Sequence, residues 1–401
     1  MNPLQTFVHV IEYFILIYFG FAAIYIFIFG LAGRFTREQK TSKNLTHRKV
    51  AVLIPGYKED AVILDVAREN LNQDYPPDRY EVVIIADSFQ YQTIKKIKQL
   101  PVTLIEVSFQ ISTKSKALNR AMEVLAGNYD IALVLDADNI MKKDFISKIN
   151  QAFAEGFTVV QGHRIAKNMN TSFAILDALS EEVNNHIYRK GHRNLGFSSA
   201  LIGSGMAFDY SFFKNTMSQV KAVGGFDKEL ELKLLKDRKK IEYLHNAIIL
   251  DEKVQNSKVF ANQRRRWLSA QFVYFGKYFF PGLYHLFFKG NIDFFDKVYQ
   301  MISPPRILLT GLTTIIALFY AWFDYAFPES VFLKFGFKTW GTVLFIVILS
   351  FLFSIPGKFY SYKTFRAVLS LPKAFGLMII SLFRLKGANK KFIHTSHGKI
   401  N

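Results

Sequence analysis

Leu135-Asp136-Ala137-Asp138-Asn139 closes an apolar run, and Gln263-Arg264-Arg265-Arg266-Trp267 precedes an aromatic stretch. Two carboxylates separated by one residue at a strand end can converge on a divalent cation if the chain turns there. Hard oxygen ligands suit Mg²⁺ or Mn²⁺, which bridges a diphosphate and offsets its charge. The same triplet also caps turns and helices. Arginine donates paired hydrogen bonds to phosphate, and the indole of Trp267 offers a flat face to a sugar ring. A basic-aromatic membrane anchor is the competing reading of that string.

Four further groups accompany these two. Asp87-Ser88 ends another apolar run, where a carboxylate can accept a hydrogen bond from a uracil N–H. Lys114 and Lys116 open a helical pattern and can hold phosphate at its positive end; a solvated basic helix face is the alternative. Gly203-Ser204-Gly205 lets backbone approach a ligand closely, or simply turns. Asp227, after Gly224-Gly225-Phe226, reads as a helix N-cap or as the general base that deprotonates an acceptor hydroxyl. An inverting sugar transfer needs such a carboxylate opposite the leaving diphosphate.

These residues need a scaffold, and 49–262 supplies one. Lys49–Pro55, Glu81–Asp87, Val102–Val107 and Asp130–Asp138 are short apolar runs. Helical patterns at Ala61–Asn72 and Lys116–Ala126 separate them. Continuous apolar strands alternating with helices predict a mostly parallel sheet flanked by helices, an α/β fold. Ligands of such sheets bind at the carboxyl ends of the strands, which points to Tyr57, Glu59, Asp87, Asp136 and Asp138.

The rest of the chain reads as membrane. Tyr13–Gly33 carries no charge and is long enough to cross a bilayer. Residues 34–49 then hold six basic residues against one acidic, which places the middle region in the cytoplasm. Ile307–Phe323 and Thr339–Gly357 are two more spans. The stretch 367–383, with Pro372 and Lys373, reads as interfacial or re-entrant. The expected organisation is an anchor at 1–34, a cytoplasmic domain at 48–262, and interfacial helices at 263–304 beginning with Gln263–Trp267. Two spans follow at 305–358, then an interfacial helix and basic tail at 359–401. The chain of 401 residues has a net charge of +19 and no cysteine. Disulfides and thiolate metal sites are thereby excluded. The charge suits phospholipid or diphosphate; nucleic acid is disfavoured because the basic residues flank apolar spans.

Taken in order, Ile54–Glu59, Ala86-Asp87-Ser88, Lys114–Asn119, Asp136-Ala137-Asp138, Gly203–Phe208, Phe226–Leu230 and Gln263–Trp267 resemble a membrane-bound family 2 glycosyltransferase. That family inverts configuration and is dependent on a nucleotide-diphosphate-sugar. The resemblance spans about 49–270 and implies a GT-A-type domain, with Mg²⁺ or Mn²⁺ as cofactor. It implies that Tyr57, Glu59 and Asp87 hold the nucleoside and Lys114 meets the diphosphate region. Asp136 would help bind the donor, Asp138 would ligate the metal, and Asp227 would be the catalytic base. Gln263, Arg266 and Trp267 match a Gln-x-x-Arg-Trp pattern of similar polysaccharide synthases, where it closes the site around diphosphate and acceptor. This sequence departs from the family's Thr-Glu-Asp at Gly225-Phe226-Asp227, and from its paired Asp-Asp at Ala86-Asp87. The implied partners are a nucleotide-sugar donor, a glycan or lipid-linked acceptor, the bilayer and polysaccharide export partners. The implied setting is the inner membrane in extracellular or capsular polysaccharide synthesis. Single transfer to a lipid-linked sugar and a non-catalytic nucleotide-sugar-binding scaffold are the other readings.

Overall fold

A computed structural model describes residues 2–35, 46–220, 222 and 224–385, and only the backbone of Lys258. Most of the basic run after the first span, 36–45, and the end of the basic tail, 386–401, lie outside the described residues.

Eight strands form one mixed, mostly parallel sheet. They are β1 (Val50–Tyr57), β2 (Tyr80–Asp87), β3 (Thr103–Val107), β4 (Ile131–Val134), β5 (Ile140–Met141), β6 (Val159–Ala166), β7 (Met206–Asp209) and β8 (Glu242–Asp251). Their order is β3-β2-β1-β4-β7-β6-β8-β5. β3, β2, β1 and β4 are parallel, so the chain leaves β1 on both sides and opens a crevice at its carboxyl end. Tyr57 pairs in register with Asp87 there. β7 runs antiparallel between β4 and β6, with Val134 opposite Met206. That reversal brings Gly203–Gly205, which precede β7, beside Asp136–Asp138, which follow β4.

Alternation along the strands fills two layers. Leu53, Val83 and Val134 face the helix Lys114–Val124. Val52, Ile84 and Leu133 face the helices Ile63–Asn70 and Phe145–Ala154. All six strand residues are fully buried, and each contributes roughly 1.5–3 kcal/mol by leaving water.

Among the described residues, three helices are long and apolar enough to cross a membrane: Pro3–Ala32, Arg306–Ala326 and Phe337–Ser354. The first has 30 residues, about 45 Å at 1.5 Å per residue, against a hydrocarbon core of about 30 Å. It crosses the third at small residues: a Cβ on Gly30 would sit 3.1 Å from Ser354 Oγ and 3.3 Å from the Ser350 carbonyl. Its end docks on the soluble domain, where His186 Nε2 bonds the Gly30 carbonyl at 2.8 Å. His186 belongs to a π-helical turn, Asn185–Gly191. A Cβ on Gly191 would meet the Phe29 carbonyl at 2.1 Å, so only glycine fits there. The stretch 367–383 falls within two helices, Tyr362–Val368 and Leu371–Phe383, bent by 41° at their break.

Candidate active site

One end of the cavity begins where β1 and β2 stop. Lys58 and Ser88 leave the strands with φ of 55° and 59°, left-handed turns uncommon outside glycine. The turn fixes Asp87, which is buried: Ser88 Oγ donates to its Oδ1 at 2.9 Å, and Lys58 N–H donates to its carbonyl at 3.1 Å. Tyr57 and Glu59 line the same cavity.

The Asp136-Ala137-Asp138 segment turns rather than continuing as strand, closed by Asn139 N–H on the Asp136 carbonyl at 3.1 Å. The turn sends the two carboxylates into different surroundings. Asp138 is 4% exposed and accepts from Asn139 Nδ2 at 3.1 Å and Glu252 N–H at 3.4 Å. Asp136 faces the cavity, with Lys114 Nζ at 2.5 Å and Arg164 Nη1 at 3.9 Å. Lys114 also donates to the Gly203 carbonyl at 2.6 Å. Ser204 Oγ accepts from Asp136 N–H at 2.9 Å and donates to Asn139. Lys114 is therefore no solvated helix face: Thr113 caps its helix, and the ammonium turns inward onto the aspartate turn.

Asp227 is no N-cap either. Gly225, at φ 67°, caps the helix Phe226–Lys236, and Asp227 sits in its first turn. The positive helix end favours its carboxylate there. A Cβ on Gly203 would lie 3.8 Å from the Asp227 carboxylate, and Lys114 Nζ sits 5.1 Å over the Phe226 ring. Asp227 and Lys114 thus share one corner.

Gln263–Trp267 lies inside a longer helix, Ser257–Lys289, which starts six residues earlier than the motif because Asn256 caps it through Val259 N–H at 3.0 Å. Phe260, Gln263, Arg264 and Trp267 fall on one face by their three- and four-residue spacing and line the cavity. Arg264 is buried against Asp177 at 2.6 Å, with its guanidinium 4.4 Å over the Trp267 ring. Burial pushes the Arg266 guanidinium below its ordinary value, opposed by Asp136 and Asp227, so Arg266 feels both carboxylates. Gln263 Oε1 is buried without a hydrogen-bond partner.

Sequence reasoning missed the network behind these residues. Arg164 on β6 meets Glu181 at 2.9 Å and Asp251 at 3.5 Å. Lys253 meets Asp251 at 2.6 Å, and Arg189 meets Glu181 at 3.5 Å. Burial alone would raise both acids; the surrounding cations outweigh it and hold Glu181 and Asp251 below their usual range. The available signal was a charge within each apolar pattern: Arg164 in a strand and Glu181 in an amphipathic helix.

Among the described residues no three His, Asp or Glu side chains form a metal cluster. Mg²⁺ and Mn²⁺ do not require one, since one or two carboxylates plus substrate phosphates and water complete their shell. Asp138, with Asp136 two residues away on the same cavity, fits that donor set. The cavity has a volume of about 1020 Å³ and runs from Tyr57 and Asp87, past Asp227 and Trp267, to Thr314 and Phe375.

A family model described as glycosyltransferase-like family 2 matches residues 47–270. A beta-monoglucosyldiacylglycerol synthase of Synechocystis sp. is 24% identical over 315 residues, covering 75% of this chain and 63% of that protein. A probable glycosyltransferase of Bacillus subtilis, YdaM, is 25% identical over 275 residues, 61% of this chain and 64% of that one. The chain thus spans less than two thirds of the length of both relatives. A mannosyltransferase from Pyrobaculum calidifontis, solved with GDP-Man and Mn²⁺, overlays at a TM-score of 0.49 and 13% identity, covering 87% of this chain and 98% of that one.

Proposed function

The chain belongs to the glycosyltransferase-like family 2, and from that premise we propose that it transfers a sugar, with inversion, from a nucleotide-diphosphate-sugar to an acceptor hydroxyl at a membrane face. The observation that carries this reading is one cavity wall. Asp136 and Asp138, Lys114, Asp227, and Arg266 with Trp267 come from four distant segments and line it together.

The nucleoside lies against Tyr57, Glu59 and Asp87, with the buried Asp87 carboxylate accepting a base N–H. Lys114 waits 2.5 Å from Asp136, placed to turn to the diphosphate, and Arg266 supports it from the helix. Asp138, with Asp136 on the donor side beside it, would hold Mg²⁺ or Mn²⁺, which would supply positive charge for the leaving group. Asp227 takes the proton of the acceptor hydroxyl as its oxygen bonds to the anomeric carbon. The bond from that carbon to the diphosphate breaks on the opposite face, so configuration inverts. Trp267, held by Arg264, gives the acceptor a stacking platform.

By the charge flanking the spans, the domain at 48–262 faces the cytoplasm of the inner membrane, between the anchor at 1–34 and the spans at 305–358. A processive synthase with export partners, serving extracellular or capsular polysaccharide, is the second reading, favoured by Gln263-x-x-Arg266-Trp267. A screen of nucleotide-sugars, read as nucleoside diphosphate release with and without Mn²⁺, tests the transfer reading. One donor should give metal-dependent release that rises with acceptor. No release from any donor, with the protein folded, would sink it. Product length separates the two readings, since a single added sugar excludes the polymerase.

A further inference from the structure

At about 1020 Å³ the cavity lies at the top of the usual range of about 300–1,000 Å³ for small-ligand sites, and its far arm leaves the α/β domain. The helix Arg306–Ala326 lines it with Arg306, Ile307, Thr310, Gly311, Thr314 and Ile315. These recur on one helical face. From Arg306 to Ile315 the helix rises about 13 Å, nearly half of a hydrocarbon core of about 30 Å. Among the described residues, nothing later on this helix lines the cavity. The arm therefore reaches into one leaflet and stops.

Its walls are apolar. Phe351 and Ile355 come from the end of the third span, and Phe375 and Met378 from the second half of the bent pair. The Thr310 and Thr314 hydroxyls donate to the Arg306 and Thr310 carbonyls, at 2.9 and 2.8 Å, and so are already satisfied. Met378 packs with Leu308 and with Leu268, the residue next to Trp267. The arm thus begins at the helix that carries the Trp267 platform.

Arg306 stands at the junction of arm and site. Its Nη2 donates to the Ser180 carbonyl at 3.0 Å and to Ser180 Oγ at 3.2 Å. Its Nη1 is buried and, among the described residues, has no hydrogen-bond partner. Among the described residues no carboxylate lies within ion-pair distance of it. The neighbouring Arg189 and Arg264 are matched by Glu181 and Asp177. A guanidinium with a buried, unpartnered nitrogen and, among the described residues, no counter-ion is costly, and phosphate oxygens match its geometry.

We propose that this arm binds a single membrane lipid carrying a phosphate-ester head, with the phosphate on Arg306 and the chain between Arg306–Ala326 and Leu371–Phe383. On the transfer reading above, on which this rests, that lipid is the acceptor or its carrier, taken laterally from one leaflet. A slot that ends near mid-membrane suits a lipid chain and does not provide a path for a polymer across the bilayer.

Native mass spectrometry of the purified full chain tests this with three probes: dioleoyl phosphatidic acid, dioleoylglycerol and glycerol 3-phosphate. Phosphatidic acid should be retained about tenfold more tightly than dioleoylglycerol, the effect of one charge-assisted hydrogen bond, and glycerol 3-phosphate hardly at all. Arg306→Gln should bring phosphatidic acid down to the dioleoylglycerol level, with Arg306→Lys between. Thr314→Trp, which fills the arm, should weaken both lipids. The three probes on the unaltered chain decide the matter even where a variant does not fold. Equal retention of the two lipids overturns the phosphate at Arg306; glycerol 3-phosphate binding as tightly as phosphatidic acid overturns the slot. Nucleotide-sugar binding in the same preparation separates the two claims. Lost lipid selectivity with donor still bound sinks only the slot, whereas no donor binding sinks the transfer reading beneath it.

Discussion

Asp177→Ala should strongly destabilise this protein while leaving the proposed donor residues untouched. The Arg264–Asp177 pair is 2.6 Å long, with about a tenth of each side chain exposed. Arg264 Nε already lacks a partner, and burial dominates the guanidinium's environment, with Asp177 the first carboxylate opposing it. Removing one member of a buried pair costs about 3–5 kcal/mol, because the other charge stays buried. Asp177→Asn keeps an acceptor oxygen and loses only the charge, a difference of about 1–2 kcal/mol between charged and neutral hydrogen bonds. In thermal unfolding of the detergent-solubilised protein, the alanine variant should melt roughly 5–10 °C lower and the asparagine variant a few degrees lower. An Arg264→Leu, Asp177→Leu double variant should recover most of the stability, since an apolar pair is often as stable as the ion pair. It should not recover acceptor affinity, because Trp267 loses the guanidinium stacked 4.4 Å from it. An alanine variant that melts with the native protein would refute the reasoning. So would a double variant with native acceptor KM.

Three further outcomes follow from the same structure. Gly225→Ala forces a side chain into φ 67° with Ala270 Cβ at 3.0 Å; it should cost about 1–2 kcal/mol and cut turnover by displacing Asp227, with donor affinity kept, as calorimetry and kinetics can check. Burial would raise the Glu182 carboxyl, but His163 and Lys358 overcome that and lower it to about 2 from an ordinary 4.5. Its contribution is therefore present above pH about 4.5 and fades as pH falls towards 2, because the unfolded carboxyl takes up its proton first. A melting-temperature profile should fall over that range and be flatter in Glu182→Gln. Chelation should abolish nucleoside diphosphate release and Mn²⁺ should restore it; an unchanged rate in chelator would remove Asp138 from the mechanism.

The sequence made half the sheet legible, and the reason is local. β1 to β4 are continuous buried runs whose apolar pattern needs no knowledge of a partner. β7 is four residues long, antiparallel, and paired between two strands far away in sequence, so nothing around Gly203–Phe208 distinguished a turn from a strand. The three helices long and apolar enough to cross a membrane were legible from length and apolar composition. That Arg306–Ala326 would turn one face to the cavity was not, because helix facing is set by its neighbours. Arg306 is a single charge just before an apolar run, and nothing local marks it. The buried ions Arg164, Glu181, Asp251 and Lys253 escaped for a similar reason: each is a single charge in an unremarkable local pattern, and only the fold assembles them.

The central claim is that Asp227 takes the acceptor proton at a site whose donor residues stand apart from it. Transfer and donor binding, measured side by side in Asp227→Asn, test this most directly. The account predicts transfer reduced by about 10²–10⁴-fold with nucleotide-sugar affinity within about twofold of the native protein. Native turnover in that variant, or donor affinity lost in step with transfer, would contradict it.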